Sequence, residues 1–292
     1  MKSFWILVAG LLFACMGAFA KLGSASFSNV ELVFFRSLVG VCLVGLYAAG
    51  KGTSIRTAHW RPQMFRSVYM MVAVLVYFYA LARLPLAVAM TLTNTGPLFV
   101  IPLAAFLLNE RPHRLQILGV AIGFVGVMIL VRPDEHHAEL VPMLIGLGAG
   151  FFNGMTLVAA RQLGLLLEPE WRVVFYLSLV ATVLTGGWLF ATTSFHTVTA
   201  GSIPILLGLG LTGTAAQWAV LRAYKVGRTF LVASLTYSNV VFASLLGVWL
   251  WGDVLSPRSW LSFGVIALGG VLASSRKRAL PARTLAAETT TS

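Results

Sequence analysis

The chain has 292 residues, of which 58% are apolar and only 10% charged, with a mean hydropathy of +0.87. Soluble domains carry about 25% charged residues, so this composition excludes a water-soluble globular protein. The net charge of +12 raises nucleic acid as a partner. It is set aside because the basic residues stand singly or in small groups between apolar runs, along no basic face.

Ten apolar segments follow one another, at about 3–20, 31–50, 64–82, 86–108, 115–131, 140–160, 171–191, 203–221, 229–251 and 259–275. Each is long enough to cross a hydrocarbon core of about 30 Å as a helix rising ~1.5 Å per residue. The first imitates a secretory signal: Lys2 precedes an apolar run ending Ala18-Phe19-Ala20, and Leu12-Phe13-Ala14-Cys15 loosely resembles a lipoprotein box. It is retained as a span because it has a counterpart later in the chain. Cys15 and Cys42 lie inside apolar segments and read as buried, unpaired thiols. The tail from 279 to 292 is small and polar and is expected to be disordered.

Orientation follows from the basic residues. With the N-terminus in the cytoplasm, sixteen Lys and Arg flank the inner ends of the segments and four flank the outer ends, with Arg36 inside the second segment. This bias predicts cytoplasmic N- and C-termini and an even number of spans.

A weak internal repeat runs at about 140 residues. Gly10 and Lys21 bracket the first segment as Gly150 and Arg161 bracket the sixth. Glu31 opens the second segment and Glu170 the seventh. Thr91, Asn94 and Thr95 match Ser234, Tyr237 and Ser238 at an offset of 143, and Glu110 matches Asp253 at the same offset. Gly119 and Gly264 fall in the fifth and tenth segments. The chain therefore divides into repeats at 1–135 and 136–278. Five spans per repeat is odd, so the second repeat is inverted in the membrane, an architecture in which solute binds near the midplane between the halves.

Three motifs in order now carry a resemblance: Glu31-x-x-Phe-Phe-Arg36, Asn109-Glu-Arg-Pro112 and the glycine-spaced segment with Gly119, Gly123 and Gly126. The chain resembles the drug/metabolite transporter superfamily of EamA type over nearly its whole length. The resemblance implies an all-α membrane protein of ten transmembrane helices in two inverted five-helix repeats, a central cavity and export or exchange of small metabolites. In the second half Trp251-Gly-Asp253 replaces the Asn-Glu-Arg-Pro sequence, so the two loops need not play equal parts.

The fourth segment is the most informative. Thr91, Asn94 and Thr95 stand at i, i+3 and i+4 and share one face. Pro97 and Pro102 remove backbone donors and free the carbonyls of Thr93 and Leu98, which predicts a bend suited to gating. Non-helical backbone at membrane depth is tolerated where it is buried or lines a wet cavity. The ninth segment repeats the polar face with Ser234, Tyr237 and Ser238 and adds Asn239. Gln217 and Trp218 in the eighth segment, Asn153 and Thr156 in the sixth, and Tyr77 in the third complete the candidate substrate-binding set. Threonine and asparagine also bridge neighbouring helices, so helix–helix adhesion is the competing reading for each. Arg36 is expected to bind a carboxylate or phosphate of the solute, to form a gate contact, or to snorkel outward. Tyr77, Tyr79 and the tryptophans at 5, 188, 249, 251 and 260 suit an interfacial belt as well as an aromatic site.

No nucleotide-binding loop, metal-ligand spacing or nucleophile–base pairing is present in the sequence. The expected function is a secondary carrier of a small, amphiphilic metabolite in the bacterial inner membrane, working without cofactor and as a monomer. Uptake of a vitamin- or nucleotide-like solute is the alternative direction. A membrane enzyme on a lipid-linked substrate and a non-transporting subunit are the alternative classes.

Overall fold

The structure is a computed structural model that describes residues 4–57, 59–107, 113–131, 137–165, 168–192, 195–226 and 238–273. Ser234, Tyr237, Glu110 and the tail lie outside the described residues. Among the described residues there are eleven helices and no strand. They are α1 (Phe4–Gly23), α2 (Asn29–Gly50), α3 (Trp60–Leu81), α4 (Leu86–Thr93), α5 (Gly96–Leu107) and α6 (Arg114–Val131) in the first half. The second half holds α7 (His137–Leu165), α8 (Glu170–Thr192), α9 (Ile203–Val226), α10 (Ser238–Trp251) and α11 (Pro257–Ala273). Helices α4 and α5 form one span, Leu86–Phe106, so each of the ten expected segments has a helix among the described residues. Seven spans are long and apolar enough to cross a membrane by themselves.

Local chemistry explains the boundaries. At the start of α2, Ser28 accepts the Glu31 N–H at 3.3 Å while the Glu31 carboxylate accepts the Ser28 N–H at 2.7 Å. Two orphan donors are thus satisfied reciprocally. Glycine ends α2, and Gly52 follows at φ +60°, a left-handed conformation that glycine adopts without steric cost. Pro257 opens α11, where its missing N–H costs nothing.

The two halves pack with matched partners. The pair α1–α9 has its counterpart in α3–α7, α2–α9 in α3–α8, and α1–α10 in the contacts of α4 and α5 with α7. The pairs α2–α8, α6–α11 and α4–α10 join equivalent elements of the two halves. This is the contact pattern of a pseudo-two-fold axis running between two five-span units. The apolar centre draws on α1–α4, α6–α11, with Leu32, Phe78, Leu86, Leu92, Leu209 and Ile266 wholly buried. Outside it, Leu46, Phe106, Trp188, Phe190, Trp249 and Leu245 stand exposed. An apolar outer surface of this extent is the face of a protein solvated by lipid.

Helices α6 and α11 pack backbone against backbone. An added methyl at Gly269 would run into the Cα and N of Gly123 and lie 2.7 Å from the Gly119 carbonyl oxygen. Gly264, the sequence match of Gly119, instead faces open space. The repeat therefore locates the glycine-rich helices, and packing selects a different glycine in the second half.

Candidate functional site

The fourth segment is broken rather than bent. Helix α4 ends at Thr93, Asn94 caps it at φ −73°, ψ 0°, and α5 restarts at Gly96. The break stands just ahead of Pro97, because proline offers no N–H to the Thr93 carbonyl and is accommodated in the first turn of a new helix. The Leu98 N–H bonds the Thr95 carbonyl at 2.8 Å to start the new turn. Pro102 lies inside α5. The freed Thr93 carbonyl is met from the other half: Asn153 of α7 donates its Nδ2–H to it at 3.3 Å. This is how non-helical backbone is kept satisfied in an apolar setting.

At the same level Asn94 meets Asn239 of α10. The Asn94 amide donates to Asn239 Oδ1 at 2.7 Å, and the Asn239 amide donates back to Asn94 Oδ1 at 3.3 Å. A reciprocal carboxamide pair thus sits where the equivalent spans of the two halves cross. Its separation of 145 residues is two more than the register that matches Asn94 to Tyr237 in the sequence.

The other candidates divide by what their polar atoms do. The Thr91 hydroxyl donates to the Ala87 carbonyl at 2.7 Å and the Thr95 hydroxyl to the Leu92 carbonyl at 2.6 Å. Both bond nearby backbone of the same span. Thr156 does likewise to Phe152 at 2.9 Å. Trp218 packs edge-on against Tyr47 of α2 with ring centroids 4.8 Å apart. Three buried groups are left without a hydrogen-bond partner: Tyr77 Oη, Gln217 Nε2 and Ser238 Oγ. Helix α1 threads between two of them. A methyl at Gly17 would lie 2.7 Å from Tyr77 Oη, and one at Gly10 would lie 3.1 Å from Ser238 Oγ. Arg36 is buried, and its Nε–H donates to Met16 Sδ at 3.3 Å beside Gly213 of α9. Glu31 is not its partner. The Glu31 carboxylate accepts the His196 N–H at 2.6 Å and contacts His196 Nδ1 at 2.8 Å, fastening the start of α2 to the loop after α8.

The end of the bundle where α1 stops and α4 starts is tied across the halves. Lys21 Nζ lies 3.7 Å from Asp253 Oδ2 and donates to the Leu84 carbonyl at 3.3 Å, with the Trp251 ring 4.8 Å away. Asp253 also accepts the Leu86 N–H at 3.4 Å, so one carboxylate caps α4 and pairs with α1. Replacing Asp253 with asparagine keeps the acceptor for Leu86 and removes the ion pair, a loss of about 0.5–1 kcal/mol for a partly solvated pair. Alanine removes both and is expected to cost about 1 kcal/mol more. Thermal unfolding of the purified variants checks the order: wild type, then Asp253→Asn, then Asp253→Ala. At the opposite end, Arg172 donates to Glu168 at 2.9 Å and to the Ser54 carbonyl at 2.9 Å, and the Thr57 hydroxyl donates to Glu168.

Fold and junction together define a class, a multi-pass membrane transporter built from two helical repeats. The chain belongs to the EamA-like transporter family, which it matches over residues 1–132 and again over 140–275. It is 28% identical over 276 residues to an uncharacterized transporter of Helicobacter pylori, covering 91% of this chain and 92% of that protein. It is 28% identical over 271 residues to a pseudopaline exporter of Pseudomonas aeruginosa, covering 93% and 94%. A riboflavin transporter of Vibrio cholerae is 28% identical over 273 residues, covering 90% and 89%. A solved crystal structure shares the fold with a TM-score of 0.66 at 19% identity, over 93% of this chain and 96% of that one.

Proposed function

We propose that the protein exports a small metabolite across the bacterial inner membrane by alternating access, with no cofactor and as a monomer. The observation that carries this reading is the Asn94–Asn239 pair. It joins the two repeats at the break between α4 and α5, where the freed backbone is met by Asn153 of the other half and Ser238 Oγ, next in sequence to Asn239, is buried without a partner. Rocking of one repeat against the other about this junction would open the ends of the bundle in turn. The substrate-facing groups are Tyr77, Asn94, Asn153, Gln217, Ser238 and Asn239. Arg36 stands toward the Lys21 end, while Thr91, Thr95 and Trp218 shape the helices around them. Ser234 and Tyr237, outside the described residues, are proposed to line the same path.

The distribution of Lys and Arg supports an orientation with both termini in the cytoplasm. The Lys21–Asp253 end is then periplasmic, and each end of the bundle carries a tie across the halves, Lys21–Asp253 at one and Arg172–Ser54 with Thr57–Glu168 at the other. Export is favoured by likeness to the pseudopaline exporter. Uptake is the second reading, favoured by likeness to the riboflavin transporter.

The test is flux in proteoliposomes with labelled amino acids, nucleosides and vitamins, with and without a pH gradient. Saturable flux of one class is expected. A gradient-independent rate would mark facilitation or exchange, and a gradient-dependent rate proton coupling. Flux no greater than in empty vesicles for every member would contradict the carrier reading.

A further inference from the structure

Helix α3 carries a second polar group that the junction does not use. Gln63, Arg66 and Ser67 stand at i, i+3 and i+4 on one face. Their exposures are 0%, 5% and 0%. Four of their polar atoms, Gln63 Nε2 and Oε1, Arg66 Nη1 and Ser67 Oγ, are buried without a hydrogen-bond partner. Arg172 pairs with Glu168 and Lys21 with Asp253, whereas buried Arg36 donates to Met16 Sδ. Arg66 has no carboxylate partner among the described residues.

Such a set is costly to bury unpaired. A guanidinium in a span costs about 2.5–3.5 kcal/mol on insertion scales, and each buried, unmade hydrogen bond adds about 1–3 kcal/mol. Three donor groups stand on one face within about one helical turn: a planar guanidinium, an amide and a hydroxyl. Together they match the oxygens of a carboxylate or phosphate, which guanidinium binds through parallel hydrogen bonds. The helical period also puts Arg66, Met70, Val74 and Tyr77 along one face, with Ser67 and Tyr77 separated by roughly 15 Å of helix rise. Tyr77 Oη points at α1 beside Gly17, so this face looks toward the helix that threads the junction.

We propose that Gln63, Arg66 and Ser67 form an oxyanion-receiving subsite at the end of the path opposite Lys21, and that the transported solute carries a carboxylate or phosphate group. The inference rests on the carrier reading and narrows its substrate class. In the proposed orientation the subsite meets solute from the cytoplasm, as the first anchor of an exporter.

Paired probes that differ in one oxyanion test it: nicotinate with nicotinamide, glutamate with glutamine, and riboflavin 5′-phosphate with riboflavin. Each is titrated against the purified full chain while the thermal unfolding midpoint is followed, and phosphatidylglycerol in mixed micelles forms a separate arm. At least one acid is expected to stabilise the protein where its neutral partner does not, the carboxylate and phosphate pairs showing which oxyanion fits. Arg66→Gln should weaken that binding at least tenfold, Arg66→Lys less, and Trp60→Ala, at an exposed site on the same helix, should leave it unchanged. Should Arg66→Gln fail to fold, Ser67→Ala and Gln63→Leu carry the test, each expected to weaken the acid selectively. Equal response to acid and neutral members, acid selectivity that survives these replacements, or stabilisation by the lipid alone would overturn the proposal. The carrier reading falls separately, on absent flux, and survives if a neutral solute is transported with no acid preference.

Discussion

Gly269→Leu is expected to abolish accumulation of folded protein in the membrane, while Gly264→Leu leaves it near the wild-type level. At Gly269 the obstacle to a side chain is backbone: the Cα and N of Gly123 and the carbonyl oxygen of Gly119. No rotamer change moves those atoms, so α6 and α11 must separate. Helices in lipid gain little from hydrophobic transfer and are held by close packing of small residues. Inserting bulk into a well-packed contact costs about 1–3 kcal/mol when neighbours can yield, and more when they cannot. Against a typical total stability of about 5–15 kcal/mol that loss is decisive for a contact central to the fold. Gly264 provides the internal control, since a methyl there meets nothing within 4 Å. Fluorescence-detected size-exclusion of membrane extracts compares the two directly. Equal peaks from both variants would mean that the α6–α11 contact is not the seam holding the halves together.

Asn94→Leu is expected to lower saturable flux at least tenfold while the protein still inserts and elutes as a single species. The replacement strips Asn239 of both bonds of the carboxamide pair and leaves a buried amide facing an aliphatic side chain. Interhelical hydrogen bonds in membranes are worth about 0.6–2 kcal/mol, so stability falls modestly whereas the crossing of the two repeats loses its polar link. Asn94→Ala, Asn239→Ala and the double variant form a cycle. A coupling of about 0.6–1.7 kcal/mol in unfolding free energy is expected. Additive effects would show that the two residues act apart. Asn153→Leu has a related but distinct consequence, because it deprives the Thr93 carbonyl of its donor without touching the pair.

Much of this arrangement is legible in the residues. Ten segments, the odd number per repeat and the polar stripe of the fourth segment lead to the right helices, because membrane spans announce themselves by length and apolarity. The break at Asn94 is half legible. Pro97 signals lost backbone bonding, but only the packed structure shows that the helix stops outright and that Asn153 of the other half takes up the freed carbonyl. The Asn94–Asn239 pair is hidden by register. A repeat this diverged aligns Asn94 with Tyr237, and a drift of two residues within the offset range separates the match from the contact. The α3 group escapes for a different reason. Arg66 counts naturally among cytoplasmic flanking charges when the third segment is taken from about residue 64, whereas the helix begins at Trp60 and buries the arginine within it. The spacing of Gln63, Arg66 and Ser67 is the signal that could have found it, the same i, i+3, i+4 face that marks the fourth segment. Thr91 and Thr95 teach the converse lesson. The helix stops between them, and each hydroxyl bonds nearby backbone of its own span.

The most direct measurement is the distance distribution between spin labels at Arg83 and Val254, both exposed and on opposite sides of the Lys21–Asp253 tie, with Cys15 and Cys42 replaced. In lipid nanodiscs a short population matching this structure and a second, longer one are expected. Asp253→Ala should shift weight to the longer distance. A single short distribution, unmoved by Asp253→Ala and by every solute that the flux assay identifies, would contradict alternating access about the Asn94–Asn239 junction.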